Sequence, residues 1–530
     1  MSTLLIHNAN ILSFHEGFTN GSANCIAVDG NTITAVGRYE ELKSMVQPQT
    51  TVIDAMGKTL LPGFNDSHIH IWKVGNLKTF MLDVRGVKSK DEMLQQISDY
   101  SKQNPHLQWI TARGFNEAAW ADGKMPTKSD LDKVITDKPI YLIRTCAHIA
   151  VCNTKALELC SITKTTIVPE GGIMQLGDDR NPNGIFAETA LGLIANNIPA
   201  YSKADLKIMV KAVKEEMYSY GITAATDPAV DPLLLEAYHE MNAGGELGFR
   251  LNALPIILPD GATKPYPIPD KFESDFFNIN SVKFFADGGL SGKTSALKRH
   301  YKNTNEQGVL RLDKNQYTLL SNAAMQKGLG IATHAIGDAA IEMVIDVYQQ
   351  LRKQYPSLPL RIEHLGLPEK QHLQAMKHSN IACSMQTIFL DELGKNFIKY
   401  LDEDYLKQCY PVKSVLKQGI LMALSSDAPV VKNFNPFKGL SAAVTRKNNE
   451  GQPIAPEETI SVSDALKAYT YNAAKISGLQ HQGSLQKGNL ADVILLDRNP
   501  LTTAENDLSK IKVLQTFVDG KEVWKLKDSK

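Results

Sequence analysis

Leu60-Leu61-Pro62-Gly63-Phe64-Asn65-Asp66-Ser67-His68-Ile69-His70 decides the fold. An apolar entry runs into a Pro-Gly step and then into an alternating segment. Residues two apart on a β-strand point to the same face. His68 and His70 are therefore expected to project side by side from a strand end. Two imidazoles presented in this way make half of a metal site, because histidine is the commonest metal ligand. A chance His-x-His in a turn has the same signature, so the rest of the chain has to supply further ligands.

Upstream of this stretch, Leu4–Ile6, Cys25–Val28, Thr32–Val36 and Thr51–Ile53 read as short strands, with Asp29-Gly30-Asn31 as a hairpin turn. The end of the chain has the same texture, in Ala491–Leu496 and Thr516–Trp524. Strands this short do not bury a core alone. Residues 1–58 and 480–530 are expected to pair into one small β-domain. Between them, strand-like and helix-like segments alternate, the pattern of parallel α/β architecture. Strand candidates after His68 are Trp109–Ala112, Ile140–Ile143, Thr223–Thr226, Arg250–Pro255, Ser281–Phe285, Gly330–His334, Leu360–His364, Ile381–Gln386 and Leu421–Ser425. With the first strand these exceed a (β/α)8 barrel by two, which places the surplus in an insertion over residues 72–220. Helices are expected over Lys203–Tyr220, Lys314–Lys327, Ala339–Tyr355 and Val462–Ser477.

Lys plus Arg and Asp plus Glu are 57 each, so the net charge is zero and no nucleic-acid or anionic-membrane surface is expected. The six cysteines form no Cys-x-x-Cys pair and read as reduced core residues. With no signal peptide and no long uncharged apolar run in view, the expected compartment is the cytoplasm.

Four more residues stand near the ends of predicted strands: Lys283, His334, His364 and Asp427. In a (β/α)8 barrel the carboxyl ends of all strands meet at one mouth, so residues far apart in sequence can share one centre. Gly292-Lys293-Thr294 imitates the end of a phosphate-binding loop, but the glycine required five positions earlier is Asp287.

The chain resembles the amidohydrolase superfamily, specifically amidohydrolase family 3, which includes N-substituted formamide deformylases. The resemblance runs from the N-terminal strands to Gly483-Ser484-Leu485-Gln486-Lys487-Gly488-Asn489-Leu490-Ala491-Asp492. It implies a (β/α)8 TIM barrel over residues 59–479, a β-sandwich of both termini, and a large insertion after the first barrel strand. Lys283, His334, His364 and Asp427 then fall on barrel strands four, five, six and eight. It also implies two divalent metals, most simply zinc, held by His68, His70, His334, His364, Asp427 and a Lys283 carboxylated by carbon dioxide. The expected activity is hydrolysis of an amide, N-formyl or N-acyl carbon–nitrogen bond by a metal-activated hydroxide, with Asp427 as acid/base. The expected partner is a small-molecule substrate, without nucleic acid or membrane; a homodimer is compatible with this. Trp72, Trp120, His148, Tyr301 and Gln386 are candidate substrate contacts, with part of the insertion over residues 72–220 as a lid carrying Trp72, Phe115, Trp120 and His148. Cys146-Ala147 stands where relatives usually carry Asp-Gly, which changes the loop before His148 and Asn153. Two other readings use the same residues: a regulatory or binding protein that keeps the fold, and an esterase or lactonase on the same metal centre. Retention of the full ligand set argues against the first.

Overall fold

The Pro62-Gly63 step is a joint between two sheets. In the computed structural model, which describes residues 2–117, 120–145, 149–169, 172–259, 262 and 264–527, Thr59–Pro62 lies parallel to Asn10–Ile11 and antiparallel to Val493–Leu496. One residue later, Phe64–Asp66 pairs in parallel with Ile222–Val230 in another sheet. Only glycine fits at the crossing: a Cβ on Gly63 would lie 2.1 Å from Thr223 Oγ1. Gly63 N–H donates to Asp492 O at 2.9 Å. Thr59–Pro62 thus belongs with the terminal strands, slightly beyond the expected limit at residue 58.

The chain divides into two compact units, residues 1–71 with 214–530, and Trp72–Val213. In the first, Phe64–Asp66, Ile222–Val230, Arg250–Pro255 and Phe277–Ile279 pair in parallel. A second parallel run joins Ser281–Phe285, which continues Phe277–Ile279 across Asn280 as the second half of the fourth strand, with Gly330–Ala335, Leu360–His364, Ala382–Met385 and Met422–Leu424, eight strands in all among the described residues. An isolated parallel bridge, Ile256 to Lys283, connects the two runs on one side. On the other, Asp427 N–H donates to His68 O at 2.7 Å and His70 N–H to Ala428 O at 2.9 Å. The strands are buried along nearly their whole length, as parallel strands covered by helices should be. Asp338–Gln354 shows how the helices cover them. Ile341, Val344, Ile345, Tyr348 and Leu351 recur at helical spacing and are buried.

Both ends of the chain build two further sheets in this unit. One orders Thr32–Gly37, Cys25–Asp29, Leu4–His7 and Thr51–Asp54; the other Asn10–Ile11, Thr59–Pro62, Val493–Leu496, Val513–Val518 and Lys521–Lys525. They share one core, with Leu4, Ile6, Ile26 and Val28 packed with Leu60, Val493, Leu495 and Phe517. The Gly488–Asp492 motif stitches them: Gly488 N–H donates to Ile33 O and Ala491 N–H to Asn31 O.

The second unit is a sheet in the order Ile173–Leu176, Pro182–Ala187, Ile149–Cys152, Ile140–Arg144, Ile110–Phe115 and Met81–Asp83. Two of these strands are expected from the sequence. The other four are short or Asn/Gly-interrupted, and antiparallel pairing rather than local pattern makes three of them strands. Asp178-Asp179 lies in the turn of the hairpin Ile173–Leu176/Pro182–Ala187. The helix expected over Val462–Ser477 is two helices, Val462–Tyr469 and Tyr471–Ser477. Thr470 breaks it at φ −123° and ψ −91°, outside the helical region. Among the described residues no helix is long and apolar enough to cross a membrane, and five described cysteines are free.

Arg250 explains the last residue of the tail motif. Its guanidinium is fully buried at the start of the third parallel strand and donates to Asp492 Oδ2 at 2.6 Å, Asp492 Oδ1 at 2.8 Å, Asp519 Oδ1 and Asp275 O. Breaking a buried pair by removing one partner leaves the other charge uncompensated. Arg250→Met should therefore lower unfolding stability by about 3–5 kcal/mol, seen as an earlier midpoint in urea or on heating. An unchanged midpoint would contradict the assignment.

Candidate active site

His68 and His70 lie just beyond the first parallel strand, which ends at Asp66. Strand alternation therefore does not set them side by side. Asp66 Oδ1 accepts from His68 N–H at 3.2 Å and from Ser426 N–H at 3.0 Å, so one buried carboxylate ties the turn after the first strand to the end of the eighth. Burial pushes the Asp66 carboxyl up to about 6, against those hydrogen bonds. The two imidazoles meet edge to face with centroids 5.7 Å apart. Their Nε2 atoms stand 3.4 Å (His68) and 3.3 Å (His70) from Asp427 Oδ1.

His364 joins the same place from the sixth strand, its ring 4.8 Å from that of His68 and 4.4 Å from that of His334. Ligand atoms of His68, His364 and Asp427 lie within 4.8 Å of one another, and all three residues are buried. The backbone is unusual here: φ is +76° at His364, +47° at Leu365 and +56° at Asp427. Such conformations cost a non-glycine residue about 1–3 kcal/mol and cluster at functional sites.

Lys283 is fully buried, and its Nζ has no hydrogen-bond partner among the described residues. It lies 4.9 Å from the Phe285 ring centroid. Burial pulls the amine down to about 8, against the opposing pull of Glu363 and Asp427. The His68 imidazole is pulled down by burial and by Lys283, but Glu363 and Asp427 outweigh both and raise it. Asp427 is held well below the carboxylate range: burial works the other way, and the histidines win. Burial, then His334, pushes His364 well down, which keeps this ring neutral. Two buried imidazoles and a carboxylate form a donor set that suits a divalent cation, with an orphan amine of lowered basicity beside it.

His334 is held by its surroundings, with Nε2 at 3.1 Å from Gly288 O and 3.3 Å from Asp287 Oδ1. Asp287 was not singled out from the sequence. Its carboxylate accepts from Ile336 N–H at 3.0 Å, Gly337 N–H at 2.8 Å and Ala296 N–H at 3.0 Å, joining the loops after the fourth and fifth strands. Glu363 and Arg361 were missed as well. Glu363 accepts from His68 Nδ1 and from Arg361 Nε. Their alternation reads in the sequence as the solvent face of a surface strand; only the burial of that strand between two others makes two charged residues there rare without a role.

The expected substrate contacts have partners of their own. Trp120 and Phe115 sit in the core of the second unit with Met93, Ile97 and Leu131, and Trp120 Nε1–H donates to Val87 O at 3.1 Å. Packing within the insertion therefore claims both aromatics. Tyr301 is buried, and its hydroxyl donates to Ser295 O at 3.0 Å, a staple within the loop after the fourth strand. Gln386 reaches the site through His364, with Oε1 2.7 Å from His364 Nδ1 and Nε2 2.9 Å from Ser425 Oγ. Asn153 caps the helix Thr154–Leu159 through Ala156 N–H. Trp72, half-buried, begins the second unit, with Lys73 Nζ 5.8 Å from its ring. His148 lies outside the described residues.

The buried amine yields a pH prediction for protein stripped of metal. Its pKa falls from 10.5 unfolded to about 8 folded. The unfolded chain binds the extra proton between these values, so stability rises with pH from about 8 to 10.5, and the penalty is fully present below about 8. Lys283→Met should raise stability at pH 7 by about 3 kcal/mol and abolish that climb. Unfolding midpoints measured against pH check both; a variant that still climbs would contradict Lys283 as the source of the pH dependence.

The amidohydrolase family model matches residues 51–524. An N-substituted formamide deformylase of Arthrobacter pascens is 28% identical over 546 residues, covering 98% of this chain and 98% of that protein. Protein LONG AFTER FAR-RED 3 of Arabidopsis thaliana is 27% identical over 545 residues, covering 99% of this chain and 92% of that protein. The crystal structure of an uncharacterised metal-dependent hydrolase from Pyrococcus horikoshii OT3 superposes with a TM-score of 0.80 at 25% identity, covering 95% of this chain and 99% of that one. On sequence and structure together, the chain belongs to the amidohydrolase family.

Proposed function

We propose that this protein is a divalent-metal hydrolase that cleaves the carbon–nitrogen bond of an N-formyl or N-acyl amine. The observation that carries the reading is the convergence of His68, His364 and Asp427 beside the orphan amine of Lys283. The name of the Arthrobacter relative supports the substrate class. The eight parallel strands are read as a (β/α)8 barrel and the two terminal sheets as its β-sandwich.

His68, His70, His334, His364, Asp427 and a carboxylated Lys283 would hold the ions, with zinc the best match to this nitrogen-rich set. Bound there, the ions supply Lewis acidity that polarises the carbonyl and acidifies a water. The lowered basicity of Lys283 favours modification, because only the neutral amine adds carbon dioxide; the product is a carbamate and a released proton. The carbamate then offers anionic oxygens where free ammonium offers none. Asp427 is the acid/base. Held ionised by His68 and His70, its carboxylate accepts a proton from the attacking water and returns it to the departing nitrogen. The C–N bond breaks, leaving a carboxylic acid and an amine. The burial of Asp427 keeps bulk water from competing for that proton.

Protein purified without chelator should carry about one to two divalent ions per chain by elemental analysis; a folded protein without metal would sink the proposal. On the best substrate from a panel of N-formyl and N-acyl amines, Asp427→Asn should lower kcat by about 10²–10⁴-fold. Lys283→Ala should lose metal and regain part of it with short carboxylic acids, and ¹³CO₂ should give the wild type a carbamate carbon resonance. An unmodified Lys283 in metal-loaded protein would remove the carbamate from the scheme.

A further inference from the structure

We infer that Glu363 is a positioning residue for the metal centre: through His68 Nδ1 it fixes which nitrogen of that ring faces the metal, and Arg361 locks it in place. The inference rests on the metal-dependent reading above. An imidazole can ligate through either nitrogen, and the hydrogen bond at one decides which lone pair is free at the other. His68 Nδ1 meets Glu363 Oε2, while His68 Nε2 faces Asp427 Oδ1 at 3.4 Å. A carboxylate accepts but cannot donate, so the proton of neutral His68 is held on Nδ1 and the Nε2 lone pair is presented to the site.

Glu363 has little freedom to turn. Arg361 Nε binds its Oε1, and Arg361 Nη2 binds its Oε2 at 3.0 Å. The same Nη2 donates to Ser67 O at 2.8 Å, the carbonyl just before His68. One guanidinium therefore fixes the ring of His68 through Glu363 and the backbone of His68 directly. All three side chains are at most 2% exposed, so no solvent competes for these bonds.

The backbone shows why the carboxylate belongs to the centre. Consecutive strand residues point to opposite faces, and strand register sets Glu363 beside His334 and Ser384. His364 would then point away, but its φ of +76° turns it back to the same centre. Two adjacent residues thus serve one site, His364 as a ligand and Glu363 behind another ligand.

The test is metal affinity of the stripped protein, by zinc competition against a chromophoric chelator, with the visible spectrum of the cobalt-loaded protein as a geometric readout. Glu363→Gln keeps the shape and an accepting oxygen but loses the charge; Glu363→Ala loses both. Zinc affinity should fall by about 10-fold in the first and towards about 100-fold in the second, with altered cobalt bands, even where the stripped variants melt like wild type. Where a single variant does not fold because Arg361 is left unpaired, Arg361→Met with Glu363→Gln removes that charge and should show the same loss. A folded Glu363 variant with wild-type affinity and spectrum overturns the inference and leaves the metal reading standing. So does a metal-loaded wild-type structure in which Glu363 has left His68 Nδ1. Wild-type protein that binds no metal overturns the metal reading itself, and this inference with it.

Discussion

Charge balance in a buried interior is the constraint on which the site depends. Lys283, Arg361, Glu363 and Asp427 are all buried among parallel strands that would normally present apolar side chains. An isolated charge in such a place is expensive, so each has to be paired, neutralised or bound to a cation. Glu363 and Arg361 pair with one another. Asp427 is surrounded by imidazoles. The Lys283 ammonium has no hydrogen-bond partner among the described residues, and burial lowers its basicity. The least stable member of the set is therefore the one whose chemistry is most open to change, which is how active sites depart from the rules that govern cores.

The backbone around the site follows the same logic. Three residues there, His364, Leu365 and Asp427, hold φ values that side chains avoid. Hydrogen bonds from Asp427 N–H to His68 O and from His70 N–H to Ala428 O fasten the end of the eighth strand to the turn after the first. Strain of this kind persists only where the surroundings over-determine it. A backbone held in this way keeps the side chains of the site in place without rearrangement.

The residues that converge on the site were legible because ligand chemistry is local: a histidine or aspartate at a strand end announces itself within a few residues. The terminal strands were legible for a similar reason, through β-branched runs and turn dipeptides. What stayed hidden is set by tertiary packing. Trp120 and Tyr301 are amphipathic, and only the fold decides whether such a ring lines a pocket or fills a core. Gln386 carries no sign that its partner is His364. Arg361 and Glu363 alternate as the exposed face of a surface strand would, and their burial follows from the strand's place between two others. The break at Thr470 escaped because apolar periodicity continues across it. In the insertion, antiparallel pairing created strands from segments without a strand-like pattern.

The joint at Gly63 also has a consequence in time. The strand on the near side of that joint, Thr59–Pro62, is completed by Val493–Leu496, and Gly63 itself bonds to Asp492, which pairs in turn with Arg250. A ribosome needs on the order of 20–80 s to travel from His70 to Asp492 at roughly 5–20 residues per second. Throughout that interval the edge of Thr59–Pro62 lacks its neighbour, and an unpaired strand edge invites association with other chains. The strand that precedes the first part of the site to be synthesised is thus among the last to gain its neighbour.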